Sequence, residues 1–328
     1  MKVYNTPGVA AAQAGWRDGL GGGVNHQIAG RGRWLAKLGV EYITVPMLAD
    51  IVQVEGPIPT EGRFDVDVFV VHCVYATPEF PDAPQFCHDQ NALQAELARQ
   101  AGRVVATSRH TARRIVEQLG VEREVTVLPD AIDPQEIDAA LSAFDWRAHF
   151  GMAPLAPLFV WGKNVIDALR KPDAALEIAR RWPGATVAIT ASAEALAPWN
   201  PPANVRAVGL LPWGDMLALL RAADALLVTT LEAAGAQHLE AMYLRTPVVG
   251  YAWGGAGEVV RHGSSGFLVE PGNVDWLSEG LDWAIANAER AGRSARRAAL
   301  AYDWRRVAPQ WLGLYEDLAT NYTNYTKG

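Results

Sequence analysis

The chain has 328 residues, half of them hydrophobic and 20% charged, which is enough for a large core and suggests two domains rather than one. Its net charge of −7 excludes a bulk positive field that would recruit nucleic acid or anionic lipid. Cys73 and Cys87 fit neither a disulfide framework nor a zinc site. No apolar leader opens the chain and no run reaches the roughly 18 apolar residues of a membrane span, so we expect a cytoplasmic protein without an integral membrane segment.

Short apolar runs alternate with longer helical patterns, which is typical of βαβ units around a parallel sheet. In the first half these runs predict strands at VEYITVP, VDVFVVH, APQFCH, RVVATS and EVTVLP. The run NHQIAGRGRWLAKLG predicts an amphipathic helix with a basic face of Arg31, Arg33 and Lys37. A solvated surface is the simplest interpretation of that face. Contact with a membrane, a phosphorylated acceptor or nucleic acid is the alternative.

The second half repeats the alternation. Strands are predicted at APLFVWG, ATVAIT, NVRAVG, ADALLVTT, TPVVGY and GFLVE, with helices at PDAALEIARRW, WGDMLALLRAA and AQHLEAMYLR. A turn-rich segment at about 145–157 predicts the linker. The expected domains are therefore 1–150 and 151–302, with a last helix at about 303–322 that packs back on the first domain. Two doubly wound α/β halves of this kind would place a ligand cleft between the carboxyl edges of their sheets.

Residues 231–273 concentrate glutamates among glycines and apolar side chains. Glu232 follows the predicted strand ADALLVTT, Gly235 permits a tight turn, and Glu240 falls in the first turns of the next helix. A helix start favours a phosphate through its N–H groups and its dipole. A carboxylate accepts hydrogen bonds from a pair of sugar hydroxyls.

This arrangement predicts that Glu240 binds a nucleotide ribose and that Glu232 faces a sugar. The intervening loop, including Gly235, Ala236 and Gln237, would cradle phosphate or sugar. The alternative is structural, with Glu240 complementing its helix start and Glu232 solvated in a loop.

The same stretch resembles the donor-binding motif of retaining GT-B glycosyltransferases of the large family four. The matching positions, in order and spacing, are Glu232, Gly235, Glu240-Ala241-Met242, Pro247-Val248-Val249, Gly254, Gly255, Glu258, Gly263, Gly266 and Pro271. Ala234 stands where an aromatic residue is usual and Arg245 where glycine is usual.

The resemblance implies a GT-B fold, in which two Rossmann-like domains face each other across a cleft. The first domain would bind the acceptor and the second the nucleotide sugar, with backbone groups near Gly209 and Leu210 receiving the base. The donor would be a UDP-, GDP-, ADP- or TDP-sugar, and neither a metal nor another cofactor would be required.

Residues that bind the donor diphosphate are expected at two places. Gly22 and Gly23 belong to the glycine cluster GLGGGVNHQ, which occupies the position of the family's glycine loop. After the strand APLFVWG, Lys163 and then Arg170 or Lys171 occupy the positions of the family's two cations. A flexible loop and ordinary charges at a helix start are the structural alternatives.

Two histidines are candidates for the reacting sugar. His88 closes the predicted strand APQFCH and occupies, by resemblance, the position of the family's cleft histidine, which contacts the transferred sugar. His72 ends the neighbouring strand and is the second candidate, and Asp89 is a second-rank acceptor residue. A histidine at a strand end is otherwise often a structural residue.

The sequence therefore predicts a retaining glycosyltransferase with a small-molecule, glycan or lipid-linked acceptor, and less readily a nucleic acid. A GT-B nucleotide-sugar epimerase and a catalytically silent sugar-nucleotide binding protein are the alternatives. A redox dinucleotide enzyme ranks lowest, because no G-x-G-x-x-G follows a first strand.

Overall fold

The computed structural model describes residues 1–9, 11–12, 23–56, 65–78, 80–163, 166, 170–231 and 235–325. The candidates Gly22 and Glu232 lie outside these residues. The chain forms two compact units, the first of Met1–Ala131 with Tyr302–Gly328 and the second of Ile132–Ala301. Each unit has a six-stranded parallel sheet, which confirms the expected pair of Rossmann-like sheets.

The first unit has the strand order β2-β1-β3-β4-β5-β6. Its strands are β1 (Lys2–Thr6), β2 (Glu41–Ile43), β3 (Ile51–Glu55), β4 (Val68–Val71), β5 (Arg103–Ala106) and β6 (Val125–Val127). Its helices are α1 (Gly23–Lys37), α2 (Gln85–Gln100), α3 (Arg109–Leu119) and, from the end of the chain, α13 (Trp304–Tyr325). Strand β2 lies on one side of β1, and strands β3 to β6 lie on the other, so the strand order reverses between β1 and β3.

The core of the first unit includes the last helix. Trp304, Trp311 and Tyr315 of α13 are buried in one cluster with Val3 of β1 and Leu35 of α1. All residues of β3 and β4 are buried, as expected for central strands covered on both faces.

Two sequence expectations for this unit are wrong, and one central strand was not predicted. APQFCH is not a strand, because it begins α2, whose buried Cys87, Gln94, Leu97 and Ala98 recur at helical spacing. Arg31 does not belong to a solvated basic face, since it is buried against Glu55. The strand β3 was missed because Gln53 and Glu55 interrupt its apolar pattern, although both side chains are buried.

The second unit has the strand order β12-β11-β10-β7-β8-β9. Its strands are β7 (Leu158–Trp161), β8 (Thr186–Ile189), β9 (Val205–Ala207), β10 (Ala225–Val228), β11 (Val248–Tyr251) and β12 (Gly266–Val269). Its helices are α4 (Pro134–Ala140), α5 (Trp146–His149), α6 (Asp173–Arg181), α7 (Ala193–Leu196), α8 (Trp213–Ala222), α9 (Ala236–Tyr243), α10 (Ala256–Val259), α11 (Val274–Ala286) and α12 (Ala288–Ala299). Strands β8 and β9 lie on one side of β7, and strands β10 to β12 lie on the other, so the strand order reverses between β7 and β10.

The segment proposed as a linker, 145–157, is part of the second unit. It contains α5, where Trp146 is buried and donates its indole N–H to the carbonyl oxygen of Asp215 at 3.0 Å. Arg147 donates to a carboxylate oxygen of Asp224 at 2.7 Å. The chain passes between the units earlier, after Ala131. Among the residues that the structure describes, every helix is too short or too polar to cross a membrane.

Candidate functional site

The carboxyl ends of β7 and β10 meet where the second sheet reverses its strand order. Trp161, the last residue of β7, donates its indole N–H to Oγ1 of Thr229 just beyond β10, at 3.1 Å. Open parallel sheets bind ligands outside the carboxyl ends of their strands at such a point. The half-buried Lys163 lies two residues beyond β7.

A glycine brings this edge next to the start of α9. A Cβ atom at Gly162 would overlap the side-chain amide of Gln237 in the first turn of α9. Gln237 therefore packs directly over the backbone that leads into Lys163. Gly235 precedes the helix as its N-cap residue, so the structure gathers Lys163, Gly235, Ala236 and Gln237 at one place.

Glu240 lies deeper in the same helix, with only 5% of its surface exposed. Its Oε1 accepts a hydrogen bond from the indole N–H of Trp213 at 2.9 Å. Burial raises the pKa of Glu240 to about 7; the Trp213 bond opposes this shift and the negative charge of Glu136 adds to it. Burial thus disfavours the carboxylate form, so a ligand that donates hydrogen bonds to Glu240 would stabilise that form.

The end of α9 is fixed by a clamp formed by Asp138, Tyr243 and Arg296. The hydroxyl of Tyr243 donates to Oδ2 of Asp138 at 2.8 Å. The guanidinium of Arg296 lies over the Tyr243 ring and donates to its hydroxyl and its carbonyl oxygen, at 2.9 and 3.0 Å. These contacts tie α9 to α4 and α12.

Gly209 and Leu210 follow β9 at the same edge of the sheet. Gly209 has a φ of +69°, a left-handed conformation that suits glycine, and its N–H donates to the carbonyl oxygen of Ala191 at 3.1 Å. Leu210 is exposed. Only Leu211 and Pro212 separate this turn from Trp213.

The remaining candidates of the second unit are less tightly placed. Arg170 is half-buried and Lys171 exposed in the segment before α6. Glu258 is exposed on α10.

In the first unit, His72 comes directly after β4 and its Nε2 lies 3.2 Å from Oε2 of Glu55, the last residue of β3. Burial alone would raise the pKa of Glu55. The charge of Arg31 and the hydrogen bonds from His72 and Gln53 outweigh that effect and lower the pKa to about 2. Glu55 is therefore a carboxylate at neutral pH, and it holds the His72 ring.

A buried polar network surrounds this pair. The amide of Gln53 donates to Glu55 at 3.0 Å and to Asn5 at 2.8 Å, and it accepts from the hydroxyl of Tyr315 at 2.7 Å. Arg31 lies over the ring of Trp311, 4.4 Å from its centroid. The network occupies the carboxyl ends of β1 and β3, where the first sheet reverses its strand order.

His88 does not close a strand. It is the fourth residue of α2 and is exposed, as is its neighbour Asp89, which accepts a hydrogen bond from Gln85 at 2.9 Å. Gly23 is the first residue of α1. Sequence reasoning missed Glu55 and Trp213. A glutamate in an otherwise apolar run and a tryptophan at a helix start were the signals available.

Comparisons with known proteins agree with this architecture. The family model described as glycosyl transferases group 1 matches residues 191–300. The chain is 28% identical over 251 residues to the D-inositol 3-phosphate glycosyltransferase of Nocardia farcinica, covering 68% of this chain and 54% of that protein. It thus spans about half the length of the curated relatives it matches.

Solved structures cover the chain more fully. The sucrose-phosphate synthase of Thermosynechococcus elongatus superposes with a TM-score of 0.78 at 15% identity, over 98% of this chain and 99% of that one. HepE of Anabaena, in complex with UDP-glucose, has a TM-score of 0.66 at 17% identity, over 99% and 100%. The chain therefore has the GT-B fold, and its residues 191–300 match the glycosyl transferases group 1 family.

Proposed function

We propose that this chain is a glycosyltransferase that moves a sugar from a nucleotide-sugar donor to an acceptor hydroxyl. The observation that carries the proposal is the buried carboxyl group of Glu240, held in α9 beside the point where the second sheet reverses. The family match, which spans this helix, supports it. The relative from Nocardia farcinica is likewise named a glycosyltransferase.

The donor would be bound by the second unit. Glu240 accepts the hydroxyls of the ribose, and the N–H groups of Gly235, Ala236 and Gln237 face the diphosphate. Backbone groups at Gly209 and Leu210 receive the base. Hydrogen bonds donated by the ribose hydroxyls would lower the pKa of Glu240, so ribose binding and carboxylate formation reinforce each other.

The diphosphate leaves as the bond between C1 of the sugar and the phosphate oxygen breaks. Lys163, with Arg170 or Lys171, would stabilise the charge that develops on it. Gly22 and Gly23 before and at the start of α1 would approach the same phosphates, and Glu232 would face the sugar.

The acceptor oxygen forms the new bond to C1 and loses its proton. We propose retention of configuration, with a donor phosphate oxygen receiving that proton on the face from which the diphosphate leaves. The matching order and spacing of Glu232 and Glu240 support this choice.

Two histidines of the first unit enter the proposal. His88, with Asp89 beside it, would contact the transferred sugar from the exposed start of α2. His72 would orient the acceptor or stabilise charge, since Glu55 fixes its ring. Neither would act as a nucleophile.

A UDP-sugar is the donor class to test first, because HepE has the same fold and was solved with UDP-glucose. Purified protein is incubated with UDP-glucose, GDP-mannose, ADP-glucose and TDP-glucose, and nucleotide release and thermal shift are recorded. Slow release of one nucleotide that Glu240→Gln abolishes supports the proposal. A thermal shift without release indicates a silent binding protein, and conversion of the donor sugar to its epimer indicates an epimerase.

A further inference from the structure

We propose that Trp213 is the positioning residue for Glu240, coupling the turn at Gly209 and Leu210 to the carboxylate so that base and ribose are recognised as one unit. This inference rests on the proposed function, because it assumes that Glu240 meets the ribose.

The geometry joins the two halves of the nucleoside site through one side chain. Trp213 is the first residue of α8, three residues after the exposed Leu210, and its Nε1 lies 2.9 Å from Oε1 of Glu240. The bond spans 27 residues of sequence between the start of α8 and the middle of α9. A shift of the turn would therefore move the donor that orients the carboxylate.

The backbone around Trp213 is held from outside the site. The N–H of Ser142 donates to the carbonyl oxygen of Gly214 at 3.2 Å, and a Cβ atom at Gly214 would overlap the carbonyl oxygen of Ala140. The next residue, Asp215, accepts the indole N–H of Trp146 at 3.0 Å. The first turn of α8 is thus clamped by the end of α4, the segment after it and α5, which fixes the indole before any ligand arrives.

The core side of α8 adds to this rigidity. Leu217, Leu219 and Leu220 are buried, and the carbonyl oxygen of Leu220 accepts the hydroxyl of Thr246 at 2.6 Å, just beyond α9. Trp213 therefore stands on a helix that packs against α9 at both ends. A preorganised donor of this kind costs little conformational entropy on binding.

The pKa of Glu240 depends on the ionisable groups around it as well as on the hydrogen bond from the Trp213 indole. Glu136 of α4 opposes ionisation of Glu240, whereas Asp138 of α4 and Arg296 of α12 are engaged with Tyr243. The other ionisable groups on neighbouring elements are Asp215 and Arg221 on α8, Glu258 on α10, Tyr251 on β11 and Glu289, Arg290, Arg293 and Arg297 on α12. Loss of the indole N–H removes a hydrogen bond that favours the carboxylate, so Glu240 would then ionise at a higher pH.

The test compares UDP binding by calorimetry from pH 6 to pH 9 in the wild type, Trp213→Phe and Glu240→Gln. Phenylalanine keeps an aromatic ring and removes the donor, and Trp276→Phe on the exposed start of α11 is the matched control. We expect Trp213→Phe to weaken UDP binding about tenfold at pH 7 and to move the pH midpoint of binding upward. The control should keep both values.

The outcomes separate this inference from the proposed function. If Glu240→Gln weakens UDP binding but Trp213→Phe matches the wild type at every pH, the positioning role is overturned and the ribose role stands. Unchanged binding in Glu240→Gln overturns the ribose role itself.

A second measurement does not require a Trp213 variant, so it tests the inference even if Trp213→Phe fails to fold. In 15N-labelled protein, one indole N–H resonance should shift with a midpoint near pH 7, lose that titration in Glu240→Gln, and move on addition of UDP. Absence of an indole resonance that titrates in the wild type but not in Glu240→Gln would overturn the coupling.

Discussion

Glu55 and His72 stand at the carboxyl ends of adjacent strands, with Oε2 of the carboxylate 3.2 Å from Nε2 of the imidazole. The opposite carboxylate oxygen is taken by Arg31 and Gln53. One buried glutamate therefore serves both as the counter-charge of the unit's buried arginine and as the support of a strand-end histidine. Stability and site geometry in the first unit depend on the same side chain.

The substitution Glu55→Gln should destabilise the first unit by about 3–5 kcal/mol, because it leaves the buried Arg31 without its counter-charge. Hydrogen exchange measured by mass spectrometry checks this, with faster exchange expected in β3 and β4. Peptides from β10 and β11 provide the internal reference. The matched control is Glu177→Gln, whose exposed pairing with Arg181 should contribute little. Equal protection of β3 in Glu55→Gln and wild type would contradict the expectation.

The same carboxylate predicts the acid response of the first unit. The pKa of Glu55 is lowered from an ordinary value of 4.5 to about 2, so its contribution is complete above pH 4.5 and is lost as the pH falls toward 2. The shift corresponds to at most about 3 kcal/mol. Protection factors in β3, which correct for the intrinsic pH dependence of exchange, should fall between pH 4.5 and pH 2.5 by more in the wild type than in Glu55→Gln. Identical acid profiles would rule out this linkage.

The effect of Glu240 on stability should have the opposite dependence on pH. Its pKa is raised from 4.5 to about 7, so ionisation costs the second unit stability as the pH rises through that window, by at most about 3 kcal/mol. We expect Glu240→Gln to stabilise α9 and β10 at pH 8, with little difference at pH 4.5. It should also weaken UDP binding by about 1–3 kcal/mol. Glu279→Gln, at an exposed position on α11, is the control. A Glu240→Gln variant that loses both stability and affinity at pH 8 would argue against a burial cost.

We expect the loss of the His72 side chain to lower turnover without changing donor binding. His72→Ala should lower the rate of nucleotide release by about 100-fold, near the lower end for the loss of one group that stabilises charge in the transition state, and leave UDP affinity unchanged. His88→Ala is the parallel variant, for which we expect reduced transfer with unchanged UDP affinity. Calorimetry with UDP and a nucleotide-release assay measure the two quantities. Equal turnover in wild type and a variant would remove that histidine from the site.

The contact between Gly162 and Gln237 gives a steric test. Gly162→Ala should displace the Gln237 side chain and weaken UDP binding by about 1 kcal/mol, near the lower end of the cost of overpacking. Adding Gln237→Ala relieves the overlap, so the double variant should bind UDP no more weakly than Gln237→Ala alone. Gly184→Ala, which meets no atom within 4 Å, is the control. If Gly162→Ala bound UDP as tightly as Gly184→Ala, Gln237 would have no part in the diphosphate site.

Patterns in the sequence predicted much of the fold because they reflect local periodicity. The helix at 23–37 and the strands β7, β8, β10 and β11 follow from apolar spacing. APQFCH was misjudged because a short apolar run fits either a strand or the first turn of a helix.

The candidate site likewise contains residues that the sequence could locate and residues that it could not. Glu240 could be located by its distance from Gly235, since both belong to one turn and helix. Its partner Trp213 could not, because their hydrogen bond depends on how α8 packs against α9. The pairing of Glu55 with His72 likewise depends on β3 and β4 being neighbours, which no spacing along the chain reveals.

The placement of α13 has a consequence for synthesis of the protein. Trp304, Trp311 and Tyr315 complete the core of a sheet whose strands were translated more than 170 residues earlier. The first unit therefore cannot complete its core until the last helix has been made, although its sheet is translated first. A chain that lacks the residues from 304 onward would leave the apolar side chains of the first sheet exposed, and we expect it to be vulnerable to proteases and chaperone capture.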